Sequence, residues 1–193
     1  MADAHENGPL PAALFARVDE SPDALFYREP RFALHVDDAT VAALTELYRE
    51  EVAPGARVLD LMSSWVSHLP GHPRLDEHCV RDLNADPALP WPDAAFDAVL
   101  CAFSVQYLVR PVEVFAEAAR VLAPAGRILI ATSHRLFPTK AIAAWRALAA
   151  PERLRLVAHF LERAGGFAPA RLVDRSPRAA DPLWVIAAER EPR

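Results

Sequence analysis

The segment from Asp82 to Thr132 constrains the fold more than any other part of the chain, because it reads as strand, helix and strand with clear boundaries. An apolar run at residues 96–103 is typical of a buried strand. A helix is predicted to begin at Pro111, since proline is favoured in the first turn of a helix. A second apolar run follows at residues 128–131. Strands that alternate with helices in this way predict a mostly parallel sheet.

The remaining sequence extends this pattern in both directions. A helix is predicted to run to about Glu51, because Asp37 or Asp38 can cap its first turn. The last two predicted strands are joined by the segment RSPRAADP, which is too short for a helical crossover, so they should pair antiparallel. Two further helices are predicted at residues 139–148 and 152–163. Strands are predicted at residues 57–61, 78–81, 170–174 and 183–189. The sequence therefore predicts a doubly wound, Rossmann-like α/β sheet of six strands, mostly parallel, with a C-terminal antiparallel hairpin.

Composition indicates one folded domain. The chain has 193 residues and is 52% hydrophobic, which fits a single domain with a sizeable core. Residues 1–36 are predicted to form an N-terminal arm with a short helix near residues 12–18, and residues 37–193 to form the domain. The net charge of −5 and the lack of a basic run argue against a nucleic-acid partner. No apolar stretch reaches the roughly 20 residues that cross a bilayer, and no signal-peptide pattern is present, so we expect a cytoplasmic protein.

A metal site is not expected from the histidines and cysteines. His68, His72 and His78 do not fall on one helix face, because prolines and a glycine interrupt the segment. Cys79 and Cys101 lie in predicted strands and lack ligand-type spacing to each other, so we expect buried thiols.

Two motifs carry a family resemblance. LPWPDAAFDAVL runs into the strand at residues 96–102, and RVLAPAG precedes the strand at residues 127–132. Over residues 40–189 the chain resembles class I S-adenosylmethionine-dependent methyltransferases of the methyltransferase type 11-like kind, which place LPFPD-x-x-FD-x-V and R-V-L-x-P-G-G before the corresponding strands. The resemblance implies a methyltransferase fold that ends in an antiparallel hairpin, S-adenosyl-L-methionine as cofactor, and a small-molecule acceptor.

The cofactor loop of this family is rich in glycine, whereas the corresponding segment VLDLMSSWVSHLP contains none. Glycines allow backbone N–H groups to approach a ligand closely. The resemblance implies that Asp60, Ser63 and Ser64 receive the methionine end, and the two serines can also cap a helix that faces the ligand. Trp65 either stacks on an adenine or fills the cofactor space as a core residue, and both hypotheses stay open.

The chain is also shorter than its relatives in the cofactor half. Only residues 61–88 separate Asp60 from the Leu89-Pro90 pair, where relatives fit two strands and a helix, about 20 to 30 residues more. The second strand and its helix are therefore predicted to be missing, with strand 78–81 beside strand 57–61. Asp82 would then replace the lost ribose-binding acid, and Asp82 or Asn84 would hold the adenosine.

The acceptor side offers three candidates. Ser104 and Tyr107 follow the strand at residues 96–102, where relatives place a residue beside the methionine or the acceptor. His134 follows the strand at residues 127–132, and the ordinary pKa of histidine near 6.5 suits proton abstraction. His134 and Tyr107 are therefore the candidate catalytic residues. The structural alternatives are a core role for Tyr107 and a turn-capping role for Asp82.

Two functions remain open at this point. The first is an S-adenosylmethionine-dependent methyltransferase-like enzyme of a biosynthetic pathway, which either methylates a small molecule or performs other chemistry such as ring closure or elimination. The second is a degenerate subunit without cofactor turnover that stabilises or activates a partner enzyme. Loss of a strand–helix unit would expose a sheet edge that another chain could cover, in a homo- or hetero-oligomer.

Overall fold

The computed structural model describes residues 8–26, 28–29, 35–63, 67–70 and 81–192. Its sheet contains five strands in the order β1-β2-β3-β5-β4. The strands are β1 (Val58–Leu61), β2 (Phe96–Ala102), β3 (Leu122–Thr132), β4 (Arg171–Asp174) and β5 (Trp184–Glu189). The first three strands are parallel, whereas β5 runs antiparallel to both of its neighbours. The predicted α/β fold class with an antiparallel C-terminal pair is confirmed.

Five α-helices surround this sheet in the described part of the chain. They are α1 (Asp23–Phe26), α2 (Asp38–Glu51), α3 (Pro111–Val121), α4 (Ala143–Ala147) and α5 (Ala150–Ala164). Short 3-10 turns occur at Ala12–Phe15 and Val105–Tyr107. None of the helices in these described ranges combines the length and the apolar character needed to cross a bilayer.

The two faces of the sheet have separate cores. Helix α2 packs Leu44, Leu47 and Tyr48 against one face, with Leu100 and Leu129 of the central strands beneath them. Helices α3 and α5 cover the other face, where the largest cluster of buried apolar side chains lies. The sheet is therefore covered on both sides, as a doubly wound sheet requires.

Local sequence signals account for several element boundaries. The side chain of Asp37 accepts a hydrogen bond from Thr40 N at 2.9 Å, so it caps α2 as predicted. Helix α3 begins at Pro111, also as predicted. Strand β3 begins five residues earlier than residue 127, because Leu122 already pairs with Phe96 and α3 passes directly into the strand.

The sixth predicted strand cannot be assigned. Residues 78–80 lie outside the described residues, and Arg81 is not part of a strand. Within the described sheet, β1 has β2 as its neighbour on one side only. The predicted pairing of strand 78–81 with β1, and the deletion that motivates it, stay predictions.

Candidate active site

Most of the predicted site residues that the structure describes lie where the parallel strands end. Asp60 is the penultimate residue of β1, Ser104 follows β2, and His134 follows β3. Because β1, β2 and β3 are adjacent and parallel, their carboxyl ends form one edge of the sheet. Open α/β sheets bind ligands at this edge.

Asp60 is a largely buried carboxylate that has no cationic partner among the described residues. Its Oδ2 accepts a hydrogen bond from Ser67 Oγ at 3.0 Å. Burial raises the pKa of Asp60, and hydrogen bonds from Ser63 and Ser67 only partly oppose that effect. Buried carboxylates are normally paired with a cation or metal, so this group is suited to bind a positively charged ligand.

The backbone after β1 keeps the conformation that a glycine would adopt. Met62 has a φ of 55°, in the left-handed region that side chains disfavour. Phe103 has a φ of 54° at the corresponding end of β2. The side chain of Met62 packs against the main core. A glycine could adopt this backbone conformation at residue 62 without the steric cost that a side chain brings.

Ser64 and Trp65 lie outside the described residues, so their predicted cofactor contacts stay predictions. Ser63 is described and contributes a hydrogen bond to Asp60. Ser104 is buried, and its Oγ lies 3.3 Å from the Sγ of Cys101. Burial raises the pKa of Cys101 to about 12, so this thiol stays protonated.

The structure places Tyr107 in a structural network. Its hydroxyl oxygen accepts a hydrogen bond from Phe137 N at 2.8 Å. The two rings stack with their centroids 5.9 Å apart. Burial raises the pKa of Tyr107. These contacts hold the loop after β3 against the end of β2, and a catalytic role for Tyr107 stays a prediction.

Asn84 and Asp82 also have protein partners. Asn84 Nδ2 donates to Asp23 Oδ2 at 2.9 Å and to Tyr107 O at 3.0 Å, and Asn84 Oδ1 accepts from Val109 N at 2.8 Å. Both amide donors of Asn84 are therefore used within the protein. Asp82 Oδ1 accepts from Asn84 N at 3.0 Å, which closes a turn. Asp82 is exposed, and its second oxygen is the group that a ribose hydroxyl could contact.

His134 is paired with an aspartate that the sequence did not identify. His134 Nε2 lies 3.4 Å from Asp181 Oδ1, and Arg135 Nη2 lies 2.7 Å from Asp181 Oδ2. The imidazole is half-exposed, whereas Asp181 is buried. The two residues are distant in sequence and meet because β5 runs antiparallel to β3, which brings the segment before β5 to the end of β3.

Sequence reasoning also missed polar groups on α2 and on the loop after β1. Tyr48 lies on the core-facing side of α2, yet its buried hydroxyl has no hydrogen-bond partner among the described residues. The buried Nδ1 of His68 likewise lacks a partner there. The sequence alone does not show whether a core-facing tyrosine hydroxyl has a hydrogen-bond partner, because that depends on the tertiary packing around it.

Two concave surfaces lie away from this edge. One is lined by Ala98, Ala123 and Gly126 at the amino ends of the strands. The other lies beside Gly165 and Arg190, after α5. In the part of the chain that the structure describes, no group of three histidine, cysteine or acidic side chains could hold a metal ion.

A family model described as a methyltransferase domain matches residues 56–130, which include β1, β2 and most of β3. The same segment contains the two motifs and the loop around Asp60. This match indicates a methyltransferase domain over residues 56–130 and supports the resemblance to class I S-adenosylmethionine-dependent methyltransferases. The sequence-based resemblance is thereby confirmed. A comparison with curated protein sequences gave no match.

Three solved structures have a similar fold. The [4+2]-cyclase SpnF is 17% identical, with 77% of this chain and 80% of that chain covered and a TM-score of 0.51. The 1,6-didemethyltoxoflavin-N1-methyltransferase of Burkholderia thailandensis is 19% identical, with 81% and 80% covered and a TM-score of 0.51. An S-adenosylmethionine-dependent methyltransferase of Mesorhizobium loti is 15% identical, with 80% and 99% covered and a TM-score of 0.50. These likenesses concern the fold.

S-adenosylmethionine is the cofactor of this superfamily, and the described residues fit its amino-acid end. Asp60 offers a largely buried carboxylate near the end of the first strand, with no cation beside it among the described residues. Met62, two residues later, has a left-handed backbone conformation of the kind that glycine adopts readily. Asp82 is the described acid that is predicted to contact the ribose hydroxyls.

Proposed function

We propose that the protein is an S-adenosylmethionine-dependent methyltransferase-like enzyme that acts on a small molecule. The observation that carries this proposal is Asp60, a largely buried carboxylate that is hydrogen-bonded only by serines and has no cation among the described residues. Leaving such a group unpaired is unfavourable, and an ammonium group at the same place would offset that cost. The α-amino group of S-adenosylmethionine is such a cation.

Each end of the cofactor has residues that would hold it. Asp60 would accept hydrogen bonds from the α-amino group, with Ser63 and Ser67 orienting the carboxylate. Asp82 would accept a hydrogen bond from a ribose hydroxyl through the oxygen that is not used in its turn. When bound, S-adenosylmethionine supplies an electrophilic methyl group on a sulfonium. The protein then has mainly to position the acceptor and to remove its proton.

His134 is the candidate for proton removal. Asp181 Oδ1 lies opposite Nε2 of His134, so it favours the tautomer in which Nε2 carries the proton and Nδ1 accepts one. Asp181 is itself held by hydrogen bonds and an ion pair with Arg135. The half-exposed imidazole could therefore take a proton from an acceptor hydroxyl or amine, whereas the hydroxyl of Tyr107 is engaged with Phe137.

The fold is compatible with more than one class of reaction. One structural relative is named as a cyclase and another as a methyltransferase of a small heterocyclic compound, although all share the fold. Ring closure or elimination therefore remains within the proposal as chemistry other than methyl transfer. No comparison supports the alternative of a non-catalytic subunit, and it becomes an outcome of the binding test.

The proposal is tested by calorimetric titration of the protein with S-adenosylmethionine and with S-adenosylhomocysteine. Replacing Asp60 by asparagine removes the charge but keeps the size of the side chain. We expect Asp60→Asn to weaken both ligands by about tenfold or more, since a charge-assisted hydrogen bond is lost. The ligand-free Asp60→Asn variant should melt at the same temperature as the parent or higher, because burial disfavours the charged form.

Asp97→Asn is the matched control. Asp97 lies near the amino end of the neighbouring strand, is exposed, and pairs with Arg57 at 3.0 Å. Its replacement should leave both affinities unchanged. If the parent protein binds neither compound at millimolar concentration, the enzyme proposal is wrong and the non-catalytic subunit is favoured.

A further inference from the structure

We infer that the hydroxyl of Tyr48 is a binding group of the cofactor site, which donates a hydrogen bond to the carboxylate of an amino-acid group whose ammonium pairs with Asp60. The inference rests on the proposed function and adds a residue from outside the glycine-type loop. It assigns a ligand contact to the buried face of α2, whose other residues there belong to the core.

The first support is the state of the Tyr48 hydroxyl. The side chain is only 1% exposed, and no hydrogen-bond partner of its hydroxyl occurs among the described residues. Buried hydroxyl groups in folded proteins almost always have a partner, because an unpaired one forfeits its hydrogen bonds to water. A group that is retained without a partner in the ligand-free protein is expected to gain one when the ligand binds.

The second support is what surrounds the hydroxyl. Burial raises the pKa of Tyr48 well above its ordinary range, and the negative charge of Asp60 adds to that effect. Asp60 and Cys101 lie at the carboxyl ends of β1 and β2, which are paired strands. The hydroxyl of a helix residue thus lies within electrostatic range of the carboxylate that would hold the ammonium group.

The third support is the imidazole of His68. His68 is edge-on to the ring of Phe103, with the centroids 5.7 Å apart, and its buried Nδ1 has no partner among the described residues. Burial and the charge of His35 lower the pKa of His68, so its imidazole is neutral at pH 7. The loop that carries His68 is tied to α2, because Thr45 Oγ1 donates to His68 O at 3.1 Å.

The chemistry of these groups selects the ligand. A carboxylate that has no cation among the described residues favours an ammonium group, and a tyrosine hydroxyl can donate a hydrogen bond to a carboxylate. A zwitterionic α-amino acid carries an ammonium group and a carboxylate on the same carbon atom. A purely anionic ligand would instead be repelled by Asp60, and a purely cationic one would leave the hydroxyl of Tyr48 unpaired.

Two related probes separate the amino-acid end from the nucleoside. S-adenosylhomocysteine carries the zwitterion, whereas 5′-methylthioadenosine has the same thioether and nucleoside without it. We expect Tyr48→Phe to weaken S-adenosylhomocysteine about tenfold by calorimetry, the usual effect of one lost hydrogen bond to a charged group. The affinity for 5′-methylthioadenosine should not change.

The thermal stability of the ligand-free protein is the second readout. Tyr48→Phe removes a hydroxyl that has no partner among the residues that the structure describes, so the melting temperature should stay the same or rise. Tyr107→Phe is the matched control, because that hydroxyl accepts a hydrogen bond from Phe137 N and its removal should lower the melting temperature.

Three outcomes would overturn the inference alone, provided that the parent binds S-adenosylhomocysteine. They are an unchanged affinity for that compound in Tyr48→Phe, an equal loss of affinity for both probes, and a lower melting temperature of the ligand-free variant. A parent protein that binds neither probe would overturn the proposed function, and this inference with it.

Discussion

Asp37 and Asp181 bind each other's backbone. The N–H of Asp37 donates to Asp181 Oδ2 at 2.8 Å, and the N–H of Asp181 donates to Asp37 Oδ2 at 2.7 Å. Thr40 completes the pair, since its hydroxyl donates to Asp181 O at 2.7 Å. This reciprocal contact fixes the first turn of α2 to the segment before β5. Asp181 therefore joins the cap of a helix to the candidate base His134.

The first prediction concerns acid stability. Hydrogen bonds from the backbone of Asp181 and Thr40 lower the pKa of Asp37 in the folded protein. Because this pKa lies below the ordinary value for aspartate, about 3.9, the carboxylate stabilises the fold above pH 4 or so, and that contribution is lost as the pH falls through the lowered pKa. We expect Asp37→Asn to lower the melting temperature at pH 7 by about 3 °C or more.

The pH series provides the check on this prediction. Thermal melts of parent and Asp37→Asn between pH 7 and pH 3 should show a difference that narrows as the pH falls. Asp38→Asn changes the same charge one residue later, at an exposed position, and should give a smaller difference. A difference for Asp37→Asn that does not vary with pH would show that charge is unimportant at this cap.

The second prediction concerns Lys140, whose side chain is only 1% exposed. Its ammonium group donates to Ser21 O at 2.6 Å and lies 3.3 Å from Asp19 Oδ2 and 3.2 Å from Asp23 Oδ1. Lys140→Met would leave these carboxylates without their ammonium partner, and we expect a loss of about 3 kcal/mol in the free energy of unfolding. Hydrogen exchange should increase at Asp19, whose N–H donates to Thr139 O.

Arg49→Met is the control for the loss of an ion pair. Arg49 pairs with Glu46 on the exposed face of α2, where both side chains are more than half exposed. Its replacement should change the free energy of unfolding by less than about 0.5 kcal/mol. Equal effects of the two substitutions would contradict a special role of the buried lysine in holding residues 19–23.

The third prediction concerns the strain at Met62. Both Met62→Ala and Met62→Gly remove the packing of the side chain, but only glycine relieves the left-handed φ of 55°. We therefore expect Met62→Gly to be more stable than Met62→Ala by about 1 kcal/mol. Chemical denaturation of the two variants measures this difference. Alanine as the more stable choice would mean that the backbone changes conformation when the side chain is removed.

The fourth prediction concerns Gly126 in β3. A Cβ at this residue would lie 2.8 Å from Ala123 O and 3.0 Å from Asp97 O, and both atoms belong to the backbone. Gly126→Ala should therefore destabilise the protein by about 1 to 3 kcal/mol, as overpacking usually does. Gly8→Ala is the comparison, because a Cβ at residue 8 would have no atom within 4 Å. Equal free energies of unfolding for the two variants in chemical denaturation would contradict the predicted clash at Gly126.

The parts of the fold that the sequence predicted are those governed by local chemistry. The cap at Asp37, the start of α3 at Pro111 and the antiparallel pairing of β4 with β5 each follow from a few adjacent residues. Helix α4 was predicted over residues 139–148 but spans only Ala143–Ala147. The difference arises because Thr139 O accepts from Asp19 N and Ile142 N donates to Gln106 O, so distant segments use the backbone groups that a longer helix would need.

The site was predicted less completely, for a related reason. The strand ends were located correctly, because turn residues and apolar runs mark them. Contacts between residues far apart in sequence determine the partner of His134, the burial of the Tyr48 hydroxyl and the burial of Lys140. The sequence also provided no sign that the amide of Asn84 bonds to Asp23, Tyr107 and Val109, and its predicted ligand contact stays a prediction.

The reactivity of the buried Cys101 thiol can be used to measure how often the protein core opens to solvent. The side chain is fully buried in the centre of the sheet, and its pKa of about 12 leaves almost no thiolate at neutral pH. A maleimide could therefore alkylate Cys101 only in molecules whose sheet has separated from its helices. The rate of alkylation therefore reports how often the core opens. A ligand that binds only the closed form would slow alkylation in proportion to the fraction of protein that has ligand bound.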